Sequence, residues 1–118
     1  MIKDITIPFQ TIDWTKIPKI NHKGESGIAH SQTIEFPGIR VRIVEYSAGY
    51  MADHWCQKGH IVHCLEGEFT SELQNGDSVT LKKGMTYIVS DDMSWHRSNT
   101  KPGVTLIIID GDFMNYRK

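Results

Sequence analysis

The sequence predicts an all-β sandwich or barrel, and three observations predict it. Apolar residues come in short β-branched or aromatic runs, Gly, Pro and Asn punctuate those runs, and no amphipathic helix of useful length appears between them. In chain order the expected strands are Thr33 to Phe36, Ile39 to Tyr46, His60 to Leu65, Phe69 to Leu73, Ser78 to Leu81, Met85 to Val89, His96 to Asn99 and Val104 to Asp110. A set of this size suits a closed or sandwiched architecture. Pro37-Gly38 turns the chain before Ile39, and Asn75-Gly76 supplies the positive φ of a tight hairpin over Phe69 to Leu81. Residues 1–30 show no clear period and contain Pro8 and Pro18, so they read as an extended arm. Its apolar members Ile5, Ile7, Phe9, Ile12, Trp14 and Ile17 need cover from the barrel or from a partner subunit. Residues 31–118 then form the barrel.

A chain of 118 residues allows one domain and one core, with 39% hydrophobic and 23% charged residues placing it among folded globular proteins. A core of this size needs neither disulfides nor a structural metal for stability. Thirteen basic against fourteen acidic residues give a net charge of −1 without any long basic run, which argues against nucleic acid as a partner. No apolar stretch approaches a membrane span and none follows the N-terminus as a signal would, so a cytoplasmic protein is expected. The only two cysteines, Cys56 and Cys64, are too few for a disulfide framework and would remain thiols in a reducing compartment.

The chemistry-bearing residues gather in His54-x-Cys56-x-x-x-His60, with His96 far along the chain. In an extended segment His54 and Cys56 share a face, as do His60, Val62 and Cys64 in the next strand; that second face is the barrel interior. Ile61, His63 and Leu65 have the opposite parity. Taken alone, these imidazoles and this thiol could be ordinary loop and strand residues or ligands of a metal ion.

Gly49, His54, Cys56, His60 and Gly67 resemble the first motif of the cupin superfamily, with Cys56 where its second His stands and His60 where its Glu stands. Gly84, Ser90, Asp92, His96 and Asn99 resemble the second motif, without its Pro and second Gly. The chain is more closely similar to the small DHCW-motif cupin fold proteins, through Ala52-Asp53-His54-Trp55-Cys56-Gln57-Lys58-Gly59-His60, Cys64-Leu65-Glu66-Gly67-Glu68, Ile7-Pro8-Phe9, Asp13-Trp14 and Ile39-Arg40-Val41-Arg42. Here Trp55 precedes Cys56, the reverse of the family label. The resemblance implies a single-domain cupin jelly-roll β-barrel with an extended N-terminal arm, a metal pocket, and no established reaction.

Placing His54, Cys56, His60 and His96 around one ion keeps the net ligand charge of the usual three imidazoles and one carboxylate. It exchanges a hard oxygen for soft sulfur, which favours Zn, Ni or Fe over Mn. Open coordination positions would support catalysis on a small polar molecule; four protein ligands around Zn would close the site, and the same pocket without catalysis would make a binding or sensing module. The catalytic residues are not legible. Asp53, Trp55, Cys64, Arg42, Tyr87 and Trp95 are pocket candidates, each with a plain packing or solvation alternative: Cys64 as core, Arg40 and Arg42 as one solvated strand face, although one of these arginines could anchor a carboxylate substrate. The apolar arm and the Val104 to Asp110 strand offer surface for a second copy, so a homodimer is expected.

Overall fold

The computed structural model describes residues 6–114. Among them run eight antiparallel strands: β1 (Ile20–Lys23), β2 (Ile28–Phe36), β3 (Ile39–Tyr46), β4 (His60–Leu73), β5 (Ser78–Lys82), β6 (Thr86–Val89), β7 (His96–Asn99) and β8 (Val104–Gly111). Short 3-10 turns occupy Trp14–Lys16 and Asp112–Met114. No helix among the described residues is long and apolar enough to cross a membrane. The path β1-β2-β3-β8-β4-β5, with β6 and β7 also on β4, forms a jelly-roll β-barrel.

The barrel closes around β4, whose two halves belong to different sheets. Residues His60 to His63 pair with β6 while Ile61 to Gly67 pair with β8; further on, Glu68 to Glu72 pair with β5 and Thr70 to Leu73 with β7. Between the halves the register shifts at Cys64/Glu66, and Gly67 takes φ of +77°. Such a bulge lets one strand bend from sheet to sheet without losing its ladder. The two runs expected at His60 to Leu65 and Phe69 to Leu73 are therefore one continuous strand.

Opposed residues of antiparallel strands share a face, so the register identifies what points inward. Thr33, Arg42, Ile108, Val62 and Tyr87 form one inner row across β2, β3, β8, β4 and β6; Ser31, Val44, Leu106 and Cys64 form the next. Val44, Val62, Cys64, Phe69, Leu106 and Ile108 are buried and make the core. The outer face carries its own apolar row, Ile34, Val41, Ile109, Ile61 and Ile88, half-buried except for exposed Ile88.

Both turn assignments hold. Gly38 (φ +81°) follows Pro37 in the two-residue turn joining Phe36 to Ile39. Gly76 (φ +98°) closes the β4–β5 hairpin by donating its N–H to the Leu73 carbonyl, 3.0 Å away. Three expectations need correction. β2 begins at Ile28 rather than Thr33, because Ala29 and Ser31, which face the cavity, are too small and polar to show an apolar alternation. β1 lies within the segment read as an irregular arm, pairing with β2 through residues exposed on all sides. Arg40 and Arg42 do not form a solvated face: they point inward, towards the buried Asp110, while Val41 and Ile43 face out. The preceding chain is tied to β2 by the Gln32 amide, which donates to the carbonyls of Trp14 and Ile17. Ile7 and Phe9 are exposed; Ile5 lies outside the described residues.

A Cβ on Gly67 would stand 2.2 Å from the Gly103 carbonyl oxygen in a left-handed backbone. Gly67→Ala is expected to destabilise the fold by at least about 2 kcal/mol, measured by urea denaturation, whereas Gly84→Ala, with open space at its Cβ, pays only for its positive φ.

Candidate functional site

The barrel encloses a cavity of about 210 Å³, open at one end. Its wall includes all four expected metal ligands, His54, Cys56, His60 and His96, and also Arg42 and Tyr87. Each arrives by a different route. His60 opens β4 and His96 opens β7; because β4 serves both sheets, the two imidazoles meet across the interior, Nε2 to Nε2 at 3.0 Å with ring centroids 5.1 Å apart. Cys56 forms an isolated bridge with His96, each backbone N–H donating to the other's carbonyl at 2.8 and 2.9 Å. In such a pair the two side chains lie on the same side, so the thiol accompanies His96 into the cavity.

His54 sits at the mouth, its side chain two-thirds exposed. Its Nδ1 donates to Asp53 Oδ1 at 2.8 Å, which leaves Nε2 as the free donor atom. The same carboxylate meets His22 Nε2 at 3.3 Å, and the hydrogen bonds of His54 and His22 hold the Asp53 pKa below its usual value. The structure thus brings His60 and His96 into contact, puts Cys56 beside them, and keeps His54 at the entrance. Among the described residues no three His, Cys, Asp or Glu side chains stand close enough together to hold a metal ion.

The imidazole pair is electrostatically unsettled. His96 Nδ1 faces the Ser94 carbonyl at 3.3 Å, so Nδ1 carries the proton and Nε2 a lone pair. His60 must then choose. If its Nε2–H donates to His96, its buried Nδ1 is left bare and without a hydrogen bond, 3.9 Å from Asp110 Oδ2. If the proton sits on Nδ1, two lone pairs confront each other at Nε2. A second proton would satisfy both nitrogens, but burial, reinforced by His96 and Arg42 and opposed by Asp110, pushes the His60 pKa down to about 4. Burial lowers that of His96 as well.

Beneath the pair lies a polar cluster of which the sequence showed only Arg42 as a pocket candidate, and not Asp110 or its bonds to both arginines. Burial works to raise the Asp110 pKa, but Arg40, bonded through Nε and Nη2 at 2.9 and 2.8 Å, and Arg42, through Nη2 at 3.1 Å, hold it below the ordinary carboxylate value. Its signal was an acid ending the apolar run Val104 to Ile109, in register with Arg40. Tyr46 and Tyr50, stacked at 4.2 Å, complete the wall, and burial raises the pKa of both. Burial likewise pushes the Tyr87 phenol up to about 12. These hydroxyls stay protonated and can donate.

Other candidates fall outside the cavity wall. Cys64 is fully buried core; its thiol donates to the Glu66 and Gly67 carbonyls, and burial raises its pKa. Trp55 stacks under the Arg97 guanidinium, 4.8 Å from its ring centroid. Trp95 lines a shallow groove with Leu73 and Asp92. His63 faces outward and meets Thr86 Oγ1 at 2.7 Å.

No family model matches the sequence, and no curated protein does. Solved structures match the fold throughout. Ectoine synthase from P. lautus superposes with a TM-score of 0.71 at 18% identity, covering 87% of this chain and 78% of that one. A predicted oxalate decarboxylase from Thermotoga maritima gives 0.71 at 13% identity, covering 86% and 99%. An RmlC-like cupin from Shewanella frigidimarina gives 0.68 at 16% identity, covering 88% and 91%. The chain has the cupin fold. At these identities the likeness fixes architecture and leaves chemistry to the site itself.

Stability should report the buried imidazoles. Facing His60 are His96 from β7, Tyr87 from β6, Arg40 and Arg42 from β3 and Asp110 from β8. Below about pH 6.5 the unfolded chain protonates this histidine, whereas the folded, metal-free chain resists until about pH 4. Unfolding free energy should therefore be flat above that window and fall across it by up to about 3 kcal/mol, a loss that His60→Gln removes in large part. Urea melts at a series of pH values check this.

Proposed function

We propose that this chain is a small metal-binding cupin whose cavity holds one divalent transition metal ion, Zn, Ni or Fe in preference to Mn, and binds or transforms a small polar molecule beside it. The observation carrying this reading is the His60–His96 contact, two buried imidazoles aimed at each other, with His60 Nδ1 left buried and without a hydrogen-bond partner when its Nε2–H donates to His96. A cation between them relieves the conflict and lets His60 Nδ1–H turn to Asp110. Two nitrogens 3.0 Å apart also suit neighbouring ligands on one ion at bond lengths of about 2.1 Å. Cys56 is the third donor on this reading, brought in by a side-chain rotation, and His54 Nε2 at the mouth the fourth.

When bound, such an ion supplies Lewis acidity to an oxygen of the ligand. The chain's own residues do the rest. Tyr46, Tyr50 and Tyr87 offer phenolic donors, Arg42 a fixed positive charge, and Val62, Phe69, Leu106 and Ile108 a dry apolar wall. A second reading, a binding or sensing module without catalysis, is favoured by the two-donor geometry, since among the described residues no third metal-binding side chain stands beside His60 and His96.

Elemental analysis of purified protein, with X-ray edge spectroscopy, tests the metal reading. Metal near one ion per chain is expected, with His60→Ala and His96→Ala weakening affinity at least about tenfold and Cys56→Ser lowering occupancy without unfolding the barrel. Wild-type protein that neither carries nor takes up Zn, Ni or Fe removes the metal reading and leaves the binding module.

A homodimer is proposed as well. β8 is central in its sheet, yet its outward Ile107 and Ile109 lie on the outer face beside Ile43 and Val41, and this face supplies the surface a second copy would cover. Light scattering should give twice the chain mass, and Ile109→Lys should give the monomer.

A further inference from the structure

We infer that the cavity takes a ligand bearing a carboxylate, and that Arg42 is the residue that anchors it. This inference rests on the proposed function for the cavity but not on the metal. Among the described residues the cavity wall contains Arg42, Arg97 and four histidines, and no Asp or Glu side chain. Arg97 is already matched by Glu72, 3.4 Å away. Arg42 is not matched in the same way. Asp110 gives both of its oxygens to Arg40, which also lies in the field of Glu35, and only Oδ2 reaches Arg42. Two guanidiniums on one carboxylate leave a positive charge without a partner.

The donors of Arg42 are likewise underused. Its one hydrogen-bonded partner among the described residues is Asp110, through Nη2, and its Nε is buried with no acceptor. A guanidinium carries five N–H donors in a rigid fork that matches a carboxylate. With only 24% of its side chain exposed, such a cation binds an anion more strongly than it would at an open surface. Orientation follows from the register. Arg42 shares its inner row with Tyr87, whose hydroxyl lies 3.4 Å from His60 Nε2, so a carboxylate on Arg42 directs the remainder of the ligand towards the imidazole pair. A single surplus charge suits a carboxylate better than a phosphate, which favours a helix N-terminus or a nest of backbone N–H groups; the cavity wall here is built from strands and the loop after β3.

The test is calorimetric and NMR titration of the full-length chain, as purified and after chelation, with acetate, lactate and malonate, their amide counterparts, and inorganic phosphate. Saturable binding of at least one carboxylate is expected, at least tenfold tighter than its amide, lost by tenfold or more in Arg42→Gln and partly kept in Arg42→Lys, with circular dichroism and metal content as in wild type. Persistence of Arg42-dependent binding after chelation supports the inference even if the metal reading fails. Equal binding of acid and amide, tighter binding of phosphate, or full affinity in Arg42→Gln overturns it while leaving the metal reading standing. No saturable binding of any probe also overturns it.

Discussion

One strand shared between two sheets is the constraint on which this molecule depends. β4 runs fourteen residues, well beyond the usual strand length, and only the bulge at Cys64/Glu66 with the left-handed Gly67 lets it leave β8 and β6 and continue between β5 and β7. The consequence for the site is direct. His60, at the start of β4, belongs to the first sheet, and His96, paired with Leu73 at its end, belongs to the second. Were β4 straight, these imidazoles would lie a full strand apart; because it folds over, they touch across the interior. The feature that closes the barrel is the one that assembles its chemistry.

The interior is divided accordingly. Towards Gly67 the inner rows are filled by Val44, Leu106, Cys64 and Phe69, a packed core in the ordinary sense. Towards His60 they carry Arg40, Arg42, Asp110 and the imidazoles, groups costly to desolvate and retained only through mutual bonds. Asp110, almost wholly buried, accepts from both arginines and is fully committed. Arg42 and His60 are not, each keeping a nitrogen buried without a hydrogen-bond partner. A core selected for stability alone would have replaced such groups with apolar ones, and their persistence on one end of the barrel marks that end as the place where something else supplies the missing partners.

Much of this was written in the sequence, and the omissions have physical causes. The turns were legible because Pro37-Gly38 and Asn75-Gly76 encode backbone angles locally, and the inward face of His60, Val62 and Cys64 followed from strand parity alone. β1 was invisible because a strand exposed on every residue has no alternation to read. Arg40 and Arg42 were misread for a related reason: alternating Arg with Val is the pattern of a solvated face unless the apolar partner faces solvent or a second subunit, and the carboxylate that reverses the assignment is seventy residues away. That His60, His96 and Cys56 line one cavity agrees with the motif resemblance. That His60 and His96 alone of the four expected residues would touch side chain to side chain depended on side-chain conformations no spacing encodes.

The two cysteines show how little of a residue's role lies in its type. Cys64 points into the packed half, where its thiol donates to two carbonyls and burial makes the thiolate unfavourable. Cys56 is bonded through its backbone to His96 and opens onto the cationic half. Arg42 brings to that half a positive charge that Asp110, shared with Arg40, does not cancel. In a partly enclosed cavity such a charge attracts an anion from outside. The carboxylate proposed for the ligand answers this charge alone, and so stands apart from the metal proposed beside the imidazoles.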